Sequence, residues 1–255
     1  MKIVIHPLTY IILLSILLCG YFNYFLIISI ILIVHDLGHL FFMKLFHIYI
    51  NKIEILPFGS MIHTDIKYNI ESNKLFLISS GGVLFQLILN IIFYLLIKYS
   101  LLSNYSYQIF LTYNKLIIIF NLLPIIPLDG SKIFISLIER FLSYKRSLII
   151  VNIISIILII ILIFNQELSL NLILVSFFLF YKSYYEIFNH AFIFHKFLLE
   201  RYLNNYKYPK IKKIKKIKDI YKNKFNFINN EREDKYLAKI FDIKKYFWYY
   251  LVVCN

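Results

Sequence analysis

Two histidines and an aspartate crowd into five residues, His35-Asp36-Leu37-Gly38-His39, in the middle of a long apolar run. If the run is helical, a spacing of four puts both imidazoles on one face, one turn apart. Neutral imidazoles in that arrangement grip a tetrahedral zinc ion at two points. Asp36, beside them, is placed to reach a water on such a metal. Titratable groups are expensive at membrane depth and mark functional sites there. The five residues alone also fit a helix end at which all three side chains are solvated. A second stretch, Asn121-Leu-Leu-Pro-Ile-Ile-Pro-Leu-Asp-Gly130, weighs against that alternative. Its two prolines break the helix ladder, which is tolerated at membrane depth only where backbone is buried in protein or lines a cavity. Asp129 then lies near the membrane with no basic residue adjacent in sequence, and a metal cation would compensate its charge. His35, His39 and Asp129 together make three ligands and leave a fourth position open, the pattern of catalytic zinc sites. One zinc ion per chain is expected.

The elements that must position these groups are membrane helices. Hydrophobic residues make up 60% of the 255-residue chain and charged residues 16%, with a mean hydropathy of +0.70, above what a soluble domain carries. Apolar runs at 8–19, 22–46, 75–97, 109–123, 148–164 and 170–188 predict six transmembrane spans. The first run could instead be a cleaved leader, but no small-x-small site follows it. Residues 48–67 alternate loosely around Pro57-Phe58-Gly59 and predict short strands about a turn; His63 among them reads as a surface histidine. Ser79, Ser80, Gly81 and Gly82 give the third run a small-residue face for close helix approach. Gln86 and Asn90, four apart, read as interhelical hydrogen-bonding residues, with a substrate role as the alternative. Asn121 could bond substrate or the backbone freed by the prolines. Residues 131–142 read as a short helix returning along the membrane face.

Loops after the second and fourth runs are basic and the other loops are poor in cations, which predicts both termini in the cytoplasm of a multi-pass cell-membrane protein. From Lys196 onward the chain carries 16 Lys/Arg against 6 Asp/Glu. In Lys210–Lys218 an isoleucine recurs every third residue. A helix there would be apolar on one side and cationic elsewhere, suited to anionic headgroups; a solvated linker or a site for an acidic partner are the alternatives. No nucleic-acid recognition motif accompanies the charge. The aromatic cluster at 247–250 suits a membrane interface. Cys19 and Cys254 read as free thiols. The expected organisation is a six-span core at 1–195 and a basic tail at 196–255. The fold class is all-α and multi-pass, with a short membrane-associated β segment.

The paired motifs, in this order and in apolar surroundings, resemble the site-2 protease family of intramembrane zinc metalloproteases, peptidase family M50. The branch closest in pattern is that of stage IV sporulation protein FB. The family carries HExxH on one transmembrane helix and an NPDG-type motif with LDG on a later one. The resemblance spans roughly residues 1–200. It implies an endopeptidase that cuts a membrane-tethered protein, such as a sigma-factor precursor in sporulation, within a lipid bilayer; a homo-oligomer is compatible with it. It implies that Asp36 is the general base, that Asn121 belongs to the substrate-binding motif, and that the extended segment at 48–67 lies beside the active site. The chain departs from the family at Asp36, where the family has Glu. The carboxylate is kept and its arm is shortened by roughly 1.5 Å. A pseudoprotease that binds transmembrane segments without cutting them is therefore the alternative. A metal transporter is a third reading, but it needs polar residues stacked through the spans, and the first, fifth and sixth carry almost none.

Overall fold

The structure is a computed structural model that describes residues 2–5, 7, 9–10, 18–56, 59–64, 68–164, 170–204, 206 and 208–241. The first predicted span, at 8–19, and the aromatic cluster at 247–250 fall largely or wholly outside them. Contacts divide the chain into two compact units: 1–66, 74–123 and 128–133 form the first, and 67–73, 124–127 and 134–255 the second.

In the first unit, α1 (Phe22–Leu45) and α2 (Ser72–Lys98, whose first two residues fall in the second unit) are long Ile/Leu-rich helices, and α3 (Asn104–Leu122) follows. At 1.5 Å per residue, the 24 residues of α1 extend about 36 Å, enough to cross a hydrocarbon core of about 30 Å. The side chain of Ser103 caps α3 by accepting from the amide of Ser106 at 3.2 Å. That cap starts the helix earlier than hydropathy alone suggests. Pro124 stops it, because a proline disfavours helical backbone in the residue before it. The core holds Ile27 and Ile31 of α1, Leu89 and Phe93 of α2, and Ile109 and Phe110 of α3. Phe93 and Phe110 stack with ring centroids 3.7 Å apart.

The strands predicted around Pro57 are present as β2 (Ile50–Leu56) and β3 (Gly59–Thr64), antiparallel to one another. A third strand, β1 (Lys2–Ile5), pairs parallel with β2 and was not foreseen. Four residues next to an apolar run carry too little alternation to register as a strand; pairing with β2 makes it one.

The second unit contains α5 (Tyr144–Phe164), α6 (Leu170–Phe188) and α7 (His190–Asn204). The short helix α4 (Asp129–Ile138) replaces the expected 131–142, beginning at Asp129 itself. Among the described residues three helices, α1, α2 and α5, are long and apolar enough to cross a membrane by length and composition. Helix α3 carries Gln108, Thr112, Asn114, Lys115 and Asn121, and α6 carries Lys182 and Glu186, so neither stands out by composition alone.

The basic stretch differs from its expected helix. Ile211–Ile214 is a strand, β4, parallel to β5 (Phe225–Ile228), and β5 pairs antiparallel with β6 (Glu231–Arg232). A three-residue period supports a helix only if no partner strand offers its hydrogen bonds, and β5 does. Residues 233–241 are helical. Tyr144, Leu148, Phe194, Phe197, Leu198, Ile220 and Leu237 form one core. Arg201 is buried, ion-paired with Glu233, and donates to the carbonyl of Lys222 at 2.7 Å. Lys222 meets buried Glu139 at 3.0 Å. Cys19 is a free, exposed thiol, and Cys254 lies outside the described residues.

Candidate metal centre

The centre belongs to the first unit and begins with glycine. A Cβ on Gly38 would collide with the carbonyl of Gly81, and a Cβ on Gly81 with the backbone of Gly38. Helices α1 and α2 therefore meet backbone to backbone, as small residues permit. One turn before Gly38, His35 lies over Gly82, where a Cβ would strike its imidazole ring. The small-residue face read from the sequence thus makes the space into which a histidine ring fits.

His35 and His39 stand edge to face with centroids 4.7 Å apart. His39 Nδ1 lies 2.7 Å from the carbonyl oxygen of Ile78. A carbonyl only accepts, so Nδ1 carries the proton and Nε2 keeps its lone pair. His35 Nδ1 lies 2.9 Å from Oε1 of Gln86, which sets the same tautomer. Both free Nε2 atoms turn to Asp129. Oδ2 of that carboxylate is 3.1 Å from His35 Nε2 and 3.0 Å from His39 Nε2, and the two nitrogens are 3.1 Å apart. All three side chains are buried.

Three acceptor atoms thus face one another with no hydrogen between them in these tautomers. Such an arrangement repels unless a cation sits among the atoms. A tetrahedral zinc with bonds of about 2.0–2.1 Å sets its donors about 3.3 Å apart, close to the spacing found. The donor set of two imidazoles and a carboxylate is of the catalytic zinc type, and each imidazole has the outer partner that metal-bound histidines need. The residues fit the ion, and His35, His39 and Asp129 are the group of metal-ligating side chains that the described residues bring together.

Asp129 reaches this point because α4 starts at it. The first-turn amides favour a carboxylate there. Gly130 is required because any Cβ would meet the carbonyls of Leu122 and Leu123 at the end of α3. The carboxylate is less isolated than sequence adjacency suggests. Lys132, one turn on, approaches Oδ1 at 3.4 Å and leaves Oδ2 to the histidines. In the second unit, Ile125 and Ile126 between the two prolines are buried, and their segment bonds to serines, as expected for broken backbone at membrane depth. The Ile126 amide donates to Ser155 Oγ at 3.1 Å, and Ser183 Oγ donates to the Ile126 carbonyl at 3.4 Å.

Asp36 sits beside His35 on α1 and is half-buried. Asn121 is on the last turn of α3, where its amide nitrogen donates to the carbonyl of Ile117 at 3.1 Å. His63 is on β3 opposite Lys52; its side chain lies outside the described residues. Gln86 and Asn114 were under-read. Gln86 registered only as an interhelical residue, and nothing marked Asn114. The available signal was a fully polar amide at mid-helix in each of α2 and α3, where apolar neighbours leave it no water.

Comparison with known proteins points to one family. The profile of peptidase family M50 matches residues 23–114 and 100–165. Stage IV sporulation protein FB of Bacillus subtilis is 28% identical over 206 residues, 79% of this chain and 72% of that protein. The zinc metalloprotease MJ0392 of Methanocaldococcus jannaschii is 29% identical over 164 residues, 62% of this chain and 48% of that protein. Among solved structures, the site-2 protease from the same archaeon superposes with a TM-score of 0.53 at 26% identity, covering 72% of this chain and 89% of that one.

Proposed function

The chain belongs to peptidase family M50, and from that membership we propose that it is an intramembrane zinc endopeptidase acting on a membrane-tethered protein. The observation that carries the reading is the convergence of His35 Nε2, His39 Nε2 and Asp129 Oδ2 within 3.1 Å of one another. Zinc held there supplies a Lewis acid for the scissile carbonyl. The chain's own groups supply the rest. Ile78 and Gln86 fix the ring orientation of the two histidines. Asp36 takes a proton from the attacking water on its carboxylate and returns it to the leaving amine nitrogen. Asn121 orients substrate backbone. Strand β3 pairs only with β2 among the described residues, so its other edge is suited to receive an unwound substrate segment. The proposed topology has six spans with both termini in the cytoplasm. The proposed tail from 196 lies against anionic lipid. The likeness to a sporulation protein suggests a sigma-factor precursor as substrate.

Asp36 supports a second reading, a pseudoprotease. Its arm is about 1.5 Å shorter than that of Glu, and misplacement of about 1 Å can cost on the order of 100-fold. One blot separates the two. The chain is co-expressed with a tethered sigma-factor precursor, beside its Asp36→Glu and His35→Ala forms. Cleavage by the parent that is lost in His35→Ala establishes a protease with an aspartate base. Cleavage only by Asp36→Glu establishes a silenced enzyme on an intact zinc site. Cleavage retained in His35→Ala refutes the metal assignment.

A further inference from the structure

Behind His35 a line of side-chain amides crosses two helices. Gln86 of α2 accepts from His35 Nδ1 at 2.9 Å through Oε1. Its Nε2 donates to Asn114 Oδ1 of α3 at 3.0 Å. Asn114 Nδ2 in turn donates to Asn90 Oδ1 at 3.0 Å and lies 3.4 Å from the carbonyl oxygen of Gln86. Gln86 and Asn114 are both 0% exposed. Buried amides must find partners in the protein; the bonds between side chains run in one direction, from the histidine toward Asn90, and the Asn114 amide also donates back to the Gln86 backbone carbonyl.

That direction has a chemical result. A glutamine side chain can present either its oxygen or its nitrogen to a neighbour. With its oxygen toward His35, it requires Nδ1–H and leaves Nε2 free for a metal. With its nitrogen there, it would donate to Nδ1 and move the ring proton to Nε2, the atom that must hold zinc. Asn114 decides between the two, because its own oxygen faces the Gln86 nitrogen. Flipping Gln86 would set two carbonyl oxygens against each other in a site without water, a costly arrangement.

We propose that Asn114, through Gln86, is a positioning residue for the metal centre: it fixes the tautomer of His35 and so keeps Nε2 available for zinc. This rests on the reading of His35, His39 and Asp129 as zinc ligands. The plain alternative is that the amides only tie α1, α2 and α3 together.

The test uses the full chain in detergent micelles, titrated with zinc against a competing chelator, with cobalt absorption as a second record of ligand geometry. Asn114→Leu and Gln86→Leu are expected to weaken zinc binding about 10- to 100-fold, the usual loss for an outer-sphere partner of a metal-bound histidine. Gln86→Glu keeps the acceptor toward His35 Nδ1, and with Asn114 turning its nitrogen to the new carboxylate it should lose less zinc affinity than Gln86→Leu. Leucine variants that melt lower but bind zinc with parental affinity would reduce the amides to structural ties. Equal loss in Gln86→Glu and Gln86→Leu would also overturn tautomer selection. A measurement on the parent needs no variant to fold. Nitrogen-15 spectra of zinc-free, histidine-labelled protein above the imidazole titration range should show His35 protonated at Nδ1, with the resonance assigned by its absence in His35→Asn. A proton on Nε2 would overturn the proposal. Parental protein that binds no zinc, yet shows the Nδ1 proton, would refute the metal reading and leave the tautomer assignment standing.

Discussion

The two units bury polar groups in opposite ways. In the second unit each buried charge meets its opposite: Arg201 with Glu233, and Lys222 with Glu139 at 3.0 Å. Neutral partners complete the shells, as where Ser72 Oγ donates to Glu139 at 3.0 Å. These groups satisfy one another. In the first unit the buried groups leave something over. The amide line ends at His35, Ile78 holds His39, and two imidazole lone pairs then face the carboxylate of Asp129. A closed set of buried charges fixes a fold. A set of lone pairs converging on one point suits a cation. Burial alone does not separate the two, since both kinds are buried; what separates them is the balance of donors and acceptors.

The comparison can be broken by removing one member from each set. His35→Ala or Asp129→Asn should take zinc content and cleavage to background, while the melting of the zinc-free protein changes little; metal analysis and thermal scans check both. Metal removal by a chelator should do the same to the parent. Glu139→Ala or Glu233→Ala should act the other way. Leaving Lys222 or Arg201 buried without its partner is expected to cost about 3–5 kcal/mol of stability, read by denaturant titration in detergent, with zinc binding by the folded fraction unchanged. Replacing both members, as in Glu139→Leu with Lys222→Leu, should recover most of that loss, because a buried pair is worth little more than packed apolar groups.

Finer tests follow within the first unit. Asp36→Glu should raise cleavage by up to about 100-fold at constant zinc content, through restored reach of the carboxylate. Gly82→Ala pushes a methyl into the His35 ring and should weaken zinc binding about tenfold or more, as displaced ligand supports do; chelator competition measures it. Lys132→Ala should have the smallest effect. Its side chain is 52% exposed and its contact with Asp129 is long, at 3.4 Å. An exposed pair is worth about 0–1 kcal/mol, so zinc affinity should change by no more than about fivefold.

Much of this donor set is legible in the sequence. A spacing of four puts His35 and His39 on one helix face whatever the surroundings, and Pro-Ile-Ile-Pro-Leu-Asp-Gly announces broken backbone ahead of a carboxylate. The strands at 50–64 were visible in a loose alternation around a turn. At Ile211–Ile214 a strand forms in place of a helix, because a three-residue period of isoleucine is silent about partners. Strand β5, eleven residues beyond β4 in sequence, supplied hydrogen bonds that no local pattern announces.

What the sequence determined by itself is local in origin: apolar length, helical phase, proline breaks and the identity of the donor atoms. The tertiary structure alone decided which acceptors end up facing one another. Gly38 against Gly81 sets the approach of α1 to α2, Asp129 arrives from 90 residues beyond His39, and Asn114 meets Gln86 across 28 residues of chain. Contacts of that range carry no periodic signal, because they depend on distances between helix axes and not on the order of residues along any one helix. The tautomer of His35, and with it the electron pair offered to a metal, is fixed at that level.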